Sequence, residues 1–433
     1  MSLESSLPLY SPSSSLSRSP PYYSPPPPPP CYSQDPADDE TRIDFSPRNR
    51  RRSPPSGIFT KACGSSTVIL FDQEPNIRVP SYCQHGPIRG SLIIEEDTSQ
   101  IREIVAKLEG RLEVTTTDFG VQATKVVKQT YCLWSSEPGS SSVFPGTVDI
   151  ACDFPATFQH QGRDIPLPPS RDFPLPPSYV ARFPGFPALF VKCTYSLTIL
   201  ITKGRRLGFS KTKLIYVPIE YNPQTFPAHG MPPILNFLSS VKTIPEEWHQ
   251  TSFVMNTRYP NMSPIQCQAF IPSTKVFGLS DIIPVHVQLS GSLASLRQLV
   301  LPLDPSCESD RRHSPVRVYL TRKVTFEYRG RSTWRVQRIG EGHFPPLPPV
   351  VKFECSCEPA CDSCDSCVET LDWDGEVRCD TDVVVGGFQA AGLTVKDFIT
   401  LEIIPPNIAV SPLRGIQHAI PIRLVTDTFV EPT

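Results

Sequence analysis

The sequence predicts an all-β protein: two β-sandwiches in tandem behind a proline- and serine-rich N-terminal arm. Three observations predict it. From Thr67 onward, short runs alternate apolar and polar residues between Gly, Pro, Asn and Ser, the pattern of antiparallel sheets with one face on a core. Sustained helical stripes are scarce beside them. Residues 1–56 hold fourteen of the 51 prolines, many serines and balanced charge, too little apolar surface to offset the entropy of ordering, so a disordered tail is expected there. The expected organisation is this tail at 1–56, a first sandwich at 57–228, a linker at 229–262 and a second sandwich at 263–433, with a Cys-rich loop inserted at 352–370.

The arm carries the first chemical signal. Pro20-Pro21-Tyr22-Tyr23 and Pro29-Pro30-Cys31-Tyr32 are Pro-Pro-x-Tyr motifs, and Leu7-Pro8-Leu9-Tyr10 is a Leu-Pro-x-Tyr variant. The prolines pre-set a polyproline II path, so binding freezes little backbone freedom, and Tyr23, Tyr32 or Tyr10 supplies a ring and a hydroxyl for an adjacent pocket. That is the ligand chemistry WW domains read, and several sites on one arm gain from effective concentration. A fourth match, Pro176-Pro177-Ser178-Tyr179, falls in a folded region and reads as structural. Ser11, Ser19, Ser24, Ser46 and Ser53 each precede a proline. They are candidates for proline-directed phosphorylation, which would add charge near the motifs, although the composition alone produces such steps.

Further along, Ile101, Ile104, Val105 and Leu108 fit helical spacing while Ile104, Ala106 and Leu108 fit a strand, and periodicity leaves both open. Val191 to Ile199 has apolar odd positions and polar even ones, one face core and one face solvent. Val285, Val287 and Leu289 repeat the period and place His286 on the wet face. Pro232 to Trp248 reads as an irregular connection between the halves. Val316, Val318 and Leu320 lead to Val324, Phe326 and Tyr328, then Arg329-Gly330, with Trp334 and Val336 on the return: a long hairpin.

In order, these motifs resemble the fungal arrestin-related proteins. Gly90 to Ile94 followed by Ile101 to Gly110 is similar to the early strands of the arrestin amino-terminal sandwich. Pro174 to Tyr179 is similar to the turn before its long central strand, here Val191 to Ile201, and Val217 to Pro223 to the strand that closes it. Val276 to Asp281 with Ile283 to Leu289, the hairpin Val316 to Arg338, Gly386-Gly387-Phe388, Asp397 to Ile399 and Ile420 to Thr426 follow the order of the carboxy-terminal sandwich. The resemblance implies two arrestin-like sandwiches and a noncatalytic adaptor. Such proteins bring a WW-domain, HECT-type ubiquitin ligase to cytosolic segments of membrane transporters or receptors, for ubiquitination and endocytosis. It implies a cytoplasmic protein recruited to the plasma membrane or endosomes, associated peripherally through its partners. Many relatives carry the docking motifs after the second sandwich, whereas here they precede the first. The competing expectation is a trafficking or signalling scaffold of the same fold that recruits no ligase.

A net charge of -2, from 41 basic and 43 acidic residues, gives no global basic field, so nucleic acid is not an expected partner. Arg48, Arg50, Arg51 and Arg52 form a local basic boundary. The start lacks a signal-like segment, and no apolar run approaches the roughly 20 residues that span a bilayer, which points to the cytoplasm. Most of the fourteen cysteines sit singly, Cys193 among them, where a reduced thiol packs as a small hydrophobe. Cys355, Cys357, Cys361, Cys364 and Cys367 are the exception. Four of these thiolates have the chemistry to close around tetrahedral zinc, which would make the chain a metal-binding regulator. The absence of paired Cys-x-x-Cys knuckles and the Asp-Ser-Cys repeat at 362–367 favour an expanded loop instead, with a redox-sensitive loop as a further reading. No other cofactor is implied. No phosphate-cradling glycine loop, Gly-x-Ser-x-Gly elbow or His-Glu-x-x-His helix occurs, and the eight histidines are scattered, so an enzyme is not expected. Glu95, Glu96 and Asp97 read as a solvated turn.

Overall fold

The computed structural model describes residues 56–83, 87–136, 143–160, 171–204, 210–231, 237–260, 262–300, 314–344 and 368–430. The Pro-Pro-x-Tyr motifs and Ser-Pro steps of the N-terminal arm and the five clustered cysteines lie outside the described residues.

The first half runs β1 (Gly57–Cys63), β2 (Ser66–Gln73), β3 (Ser81–Tyr82), β4 (Ile88–Ile94), β5 (Ile101–Thr116), β6 (Gly120–Ser135), β7 (Thr147–Cys152), β8 (Thr157–His160), β9 (Arg171–Pro174), β10 (Tyr179–Phe183), β11 (Leu189–Gly204) and β12 (Ser210–Tyr221). One sheet has the order β1-β2-β4-β7, the other β3-β12-β11-β5-β6 with β10 beside β11. Leu70, Leu92, Ile104, Leu108, Val191 and Leu197 are buried in the core of this sandwich. The ambiguous segment is a strand: Ile104, Ala106 and Leu108 are all core residues, and β5 pairs with β11 from Thr116↔Leu189 to Glu103↔Thr202. Non-local pairing over that length decides what a local period leaves open. β11 departs from a strict wet face, since Ser196 and Thr198 are also buried. It is an interior strand, and Lys107 and Tyr216 stand directly opposite Thr198.

The second half runs α1 (Phe237–Thr243), a 3-10 turn (Pro245–Glu247), β13 (Trp248–Met255), β14 (Ile265–Pro272), β15 (Val276–Gly278), β16 (Ile283–Ser292), α2 (Leu293–Leu299), β17 (Val316–Tyr328), β18 (Arg331–His343), β19 (Val368–Cys379), β20 (Phe388–Ala390), β21 (Leu393–Ile403) and β22 (Ile416–Val425). Its sheet has the order β13-β14-β16-β19-β18-β17-β21-β22-β15, with β20 beside β21. β19 follows β16 over Val368–Val377 but meets β18 only at Glu376–Cys379. The sheet therefore curls there and closes its two parts on one core, with Trp373 fully buried within it. The hairpin turns at Arg329-Gly330 as the sequence predicts.

Two expectations change in this half. The stretch 229–262 is more than a linker: α1 lies within it, and β13 pairs with β14 in register from Trp248↔Pro272 to Met255↔Ile265. His286 is not on a wet face. It is 1% exposed, because α1 lays Phe237 on its ring.

The sandwiches share apolar contacts. Val324, Phe326, Leu393 and Val395, at the ends of β17 and β21, belong to the core of the first sandwich. Phe119, in the β5–β6 turn, meets Phe326 and Tyr328 edge-on at 6.3 and 5.8 Å.

Candidate functional site

Where the sandwiches meet, a cleft of about 310 Å³ opens between Pro174–Pro177 and Pro223 on one side and Val384–Phe388, Arg423 and Thr426 on the other. The first wall follows from its sequence. Proline has no backbone donor and cannot extend a ladder, so the chain leaves β9 and is tied down by its neighbours. The Tyr195 hydroxyl donates to the Pro176 carbonyl, and Ser178 N donates to Tyr221 O at 2.7 Å. In the opposite wall Gly386 runs so close to β22 that a Cβ there would stand 2.2 Å from the Leu424 carbonyl oxygen. Only glycine permits that approach. Across one end of the cleft, Thr225 N donates to Thr426 Oγ1 at 2.7 Å and Thr426 N donates to Thr225 Oγ1 at 3.1 Å.

Beneath the cleft lies a buried ion pair. Arg322 on β17 and Asp397 on β21 are cross-strand partners, 2% and 1% exposed. Arg322 Nε donates to Asp397 Oδ1 at 2.7 Å, and Nη2 to Asp397 Oδ2 at 3.2 Å and to the Val385 carbonyl at 2.7 Å. Burial opposes the guanidinium charge, but the Asp397 carboxylate outweighs it and holds Arg322 above its ordinary pKa. Tyr179 stands beside the pair, its ring edge-on to Phe388 at 5.3 Å. Burial raises its phenol pKa and the nearby Arg322 charge partly offsets the rise; none of its hydroxyl contacts reaches hydrogen-bond geometry. The Tyr179 of the fourth Pro-Pro-x-Tyr match is thus buried against the ion pair. Cleft wall, ion pair and both sandwiches form one connected unit through Val385.

Elsewhere the surface offers other features. Phe186, in the β10–β11 loop, is 88% exposed, and the register Leu189↔Thr116 sets that loop beside the β5–β6 turn. Among the described residues the one ladder of β6 is with β5. Glu96 of the expected solvated turn pairs with Lys203 at 2.9 Å and Lys213 at 3.8 Å, and its pKa is lowered, first by the Lys203 hydrogen bond. Cys152, Cys193 and Cys267 are buried and unpaired in disulfides, their thiols pushed up to about 12 by desolvation, which makes them unreactive packing groups. Among the described residues no helix is long and apolar enough to cross a membrane, and no group of three or more His, Cys, Asp or Glu side chains is placed to hold a metal ion.

The sequence-predicted docking, phosphorylation and metal-ligand residues all lie outside the described residues. What the sequence reading missed is Arg322 with Asp397. A signal was present: Arg322 occupies an inward position between Leu320 and Val324 in an otherwise apolar alternation. No protein-family model matches this chain, and a search of curated proteins finds no match to it.

Proposed function

We propose that this chain is a noncatalytic arrestin-like adaptor. Its arm holds the WW domains of a HECT-type ubiquitin ligase, and its sandwiches hold a cytosolic segment of a membrane transporter or receptor. The observation that carries this reading is the pair of Pro-Pro-x-Tyr motifs ending at Tyr23 and Tyr32, ahead of a tandem β-sandwich body. The adaptor works by proximity, raising the local ligase concentration at the captured segment. Two features of the body support the second half. The edge of β6 away from β5, which carries no ladder among the described residues, offers backbone donors and acceptors to an incoming strand, and Phe186 presents an apolar ring at a loop tip.

The test uses the full chain. Tyr23→Ala with Tyr32→Ala is expected to weaken binding to a WW domain by at least about tenfold, about 1.4 kcal/mol, read by calorimetric titration. Unchanged affinity ends the docking claim. Deleting residues 1–56 separates the adaptor from a scaffold of the same fold: the adaptor loses ubiquitin transfer to the captured membrane protein, and the scaffold does not.

A further inference from the structure

Two neighbouring loops at the far end of the second sandwich display large apolar side chains. β21 runs from Val395, in the core of the first sandwich, to Ile403, in the core of the second, roughly 26 Å further along at about 3.3 Å per residue. The β21–β22 loop follows at that end, and within it Ile408 is 53% and Val410 73% exposed. Tyr259, in the β13–β14 loop, is 56% exposed. Single exposed apolar residues are ordinary on a protein surface. These three are set apart by how they are held and by the charge around them.

The two loops are joined through their backbones. Thr257 and Leu413 form a bridge, Arg258 N donates to Pro412 O at 2.7 Å and Arg414 N to Asn256 O at 2.9 Å, and Leu413 is fully buried. The Arg258 guanidinium then reaches the tip itself: Nη2 donates to the Ile408 carbonyl at 2.7 Å and Nη1 to the Ala409 carbonyl at 3.2 Å. Ser411 N donates back to Asn407 O at 2.8 Å, and Pro405, Pro406 and Pro412 restrict the backbone further. Ile408 and Val410 are therefore exposed on a loop whose conformation is already fixed, and burying them against a partner loses little ordering entropy. The charge is one-sided as well. Residues 256–264 and 404–415 contain Arg258 and Arg414, both exposed, and no Asp or Glu. The acid just before the second loop, Glu402, lies 4.0 Å from Arg317.

We propose that this loop tip inserts into an anionic membrane surface: Ile408 and Val410 enter the boundary between headgroups and acyl chains, Tyr259 sits at headgroup level, and Arg258 and Arg414 meet lipid phosphates. Apolar side chains beside an amphipathic ring and cations are the chemistry of interfacial insertion. A stable protein interface needs about 800 Å² from each partner, more than three side chains on two loop tips supply, whereas a lipid surface needs no matching concavity. The anchor is weak and reversible, since it joins a small apolar area to two charges. The contacts between the sandwiches, at the Val395 end of β21, stay clear of the surface. The membrane contact uses no residue of the arm, so it holds or fails apart from ligase docking.

Co-flotation of the full chain with vesicles of phosphatidylcholine, alone or mixed with phosphatidylserine, tests it. The chain is expected to float with the mixed vesicles at low salt and much less with phosphatidylcholine alone. Ile408→Ser with Val410→Ser is expected to lower the partition at least about fivefold, through the apolar area no longer buried. Arg414→Gln is expected to lower it about fivefold on the mixed vesicles only, the share of one basic residue at an anionic surface. All three side chains are exposed, so both variants are expected to keep the wild-type thermal midpoint. In Val410→Trp, the added tryptophan is expected to be quenched by lipids brominated along the acyl chain. No partition into the mixed vesicles, a partition unchanged by the double serine variant, or an unquenched tryptophan overturns the proposal. A concentration-dependent dimer that the double serine variant abolishes, without flotation, overturns it too and assigns the tip to a second copy of the chain.

Discussion

Arg322 and Asp397 show how one buried pair ties two structural questions together. Each side chain is at most 2% exposed, so each charge is tolerated only because the other, with the Val385 carbonyl, satisfies it. Removing one partner leaves the other charge in a dry core. Asp397→Ala is therefore expected to destabilise the chain by about 3–5 kcal/mol, measured by urea unfolding. Arg322→Met with Asp397→Leu together is expected to lose much less, because an apolar pair of similar volume needs no partner. If the double variant is as unstable as the single one, the packing around the pair matters more than the charge. At this scale the sequence was legible in part. An arginine at an inward position of β17 is visible as a break in alternation, but its partner sits 75 residues away on β21, and nothing local points to Asp397. His286 was misplaced for a related reason. Alternation assigns a residue to a face of a strand, and only the tertiary seat of α1 reveals that this face is covered.

At the scale of elements, the β17–β18 hairpin was legible because its signals are local: β-branched and aromatic residues in alternation, then Arg329-Gly330. Both turn residues have positive φ, 50° and 74°, the backbone of a tight turn whose twist matches the flanking strands. Gly330 stands in open space, with nothing within 4 Å of a Cβ placed there, so Gly330→Ala meets backbone strain and no clash. The expected cost is about 1–2 kcal/mol. Gly340 on β18 is the opposite case, where a Cβ would stand 2.1 Å from the Arg378 carbonyl oxygen, at the short junction with β19. Gly340→Ala is expected to reach or exceed the upper end of the about 1–3 kcal/mol typical of overpacking, with the β18–β19 amides losing exchange protection first. Equal costs for the two variants would mean that the junction gives way easily and does not hold the curl of the sheet. That junction was invisible to periodicity, because curl comes from which strands pair and where, as β19 does with β16 and β18 in turn. The same limit applies to β13, read as linker although its Trp248–Met255 ladder is as regular as any.

For the whole molecule, two sandwiches in tandem were legible from alternation and turn spacing, but their continuity was not. Phe326 is 3% exposed and belongs to the core of the first sandwich although β17 is a strand of the second. With Phe119 and Tyr328 around it, it links cores that the linear order separates. Shared core of this kind couples the unfolding of the halves, since exposing either one strips apolar contacts from the other. Thermal unfolding of the full chain is expected to show one calorimetric transition over the folded body, its van't Hoff and calorimetric enthalpies in agreement. Phe326→Ala removes the link, at a cost of about 3–5 kcal/mol for a buried phenylalanine, and is expected to split that transition in two. A substitution elsewhere in the second sandwich, Leu289→Ala in the core on β16, destabilises comparably without touching the link. It is expected to shift a single transition downward. Two transitions in the unaltered chain, or a single one in Phe326→Ala, would mean that the shared aromatic contacts do not couple the sandwiches.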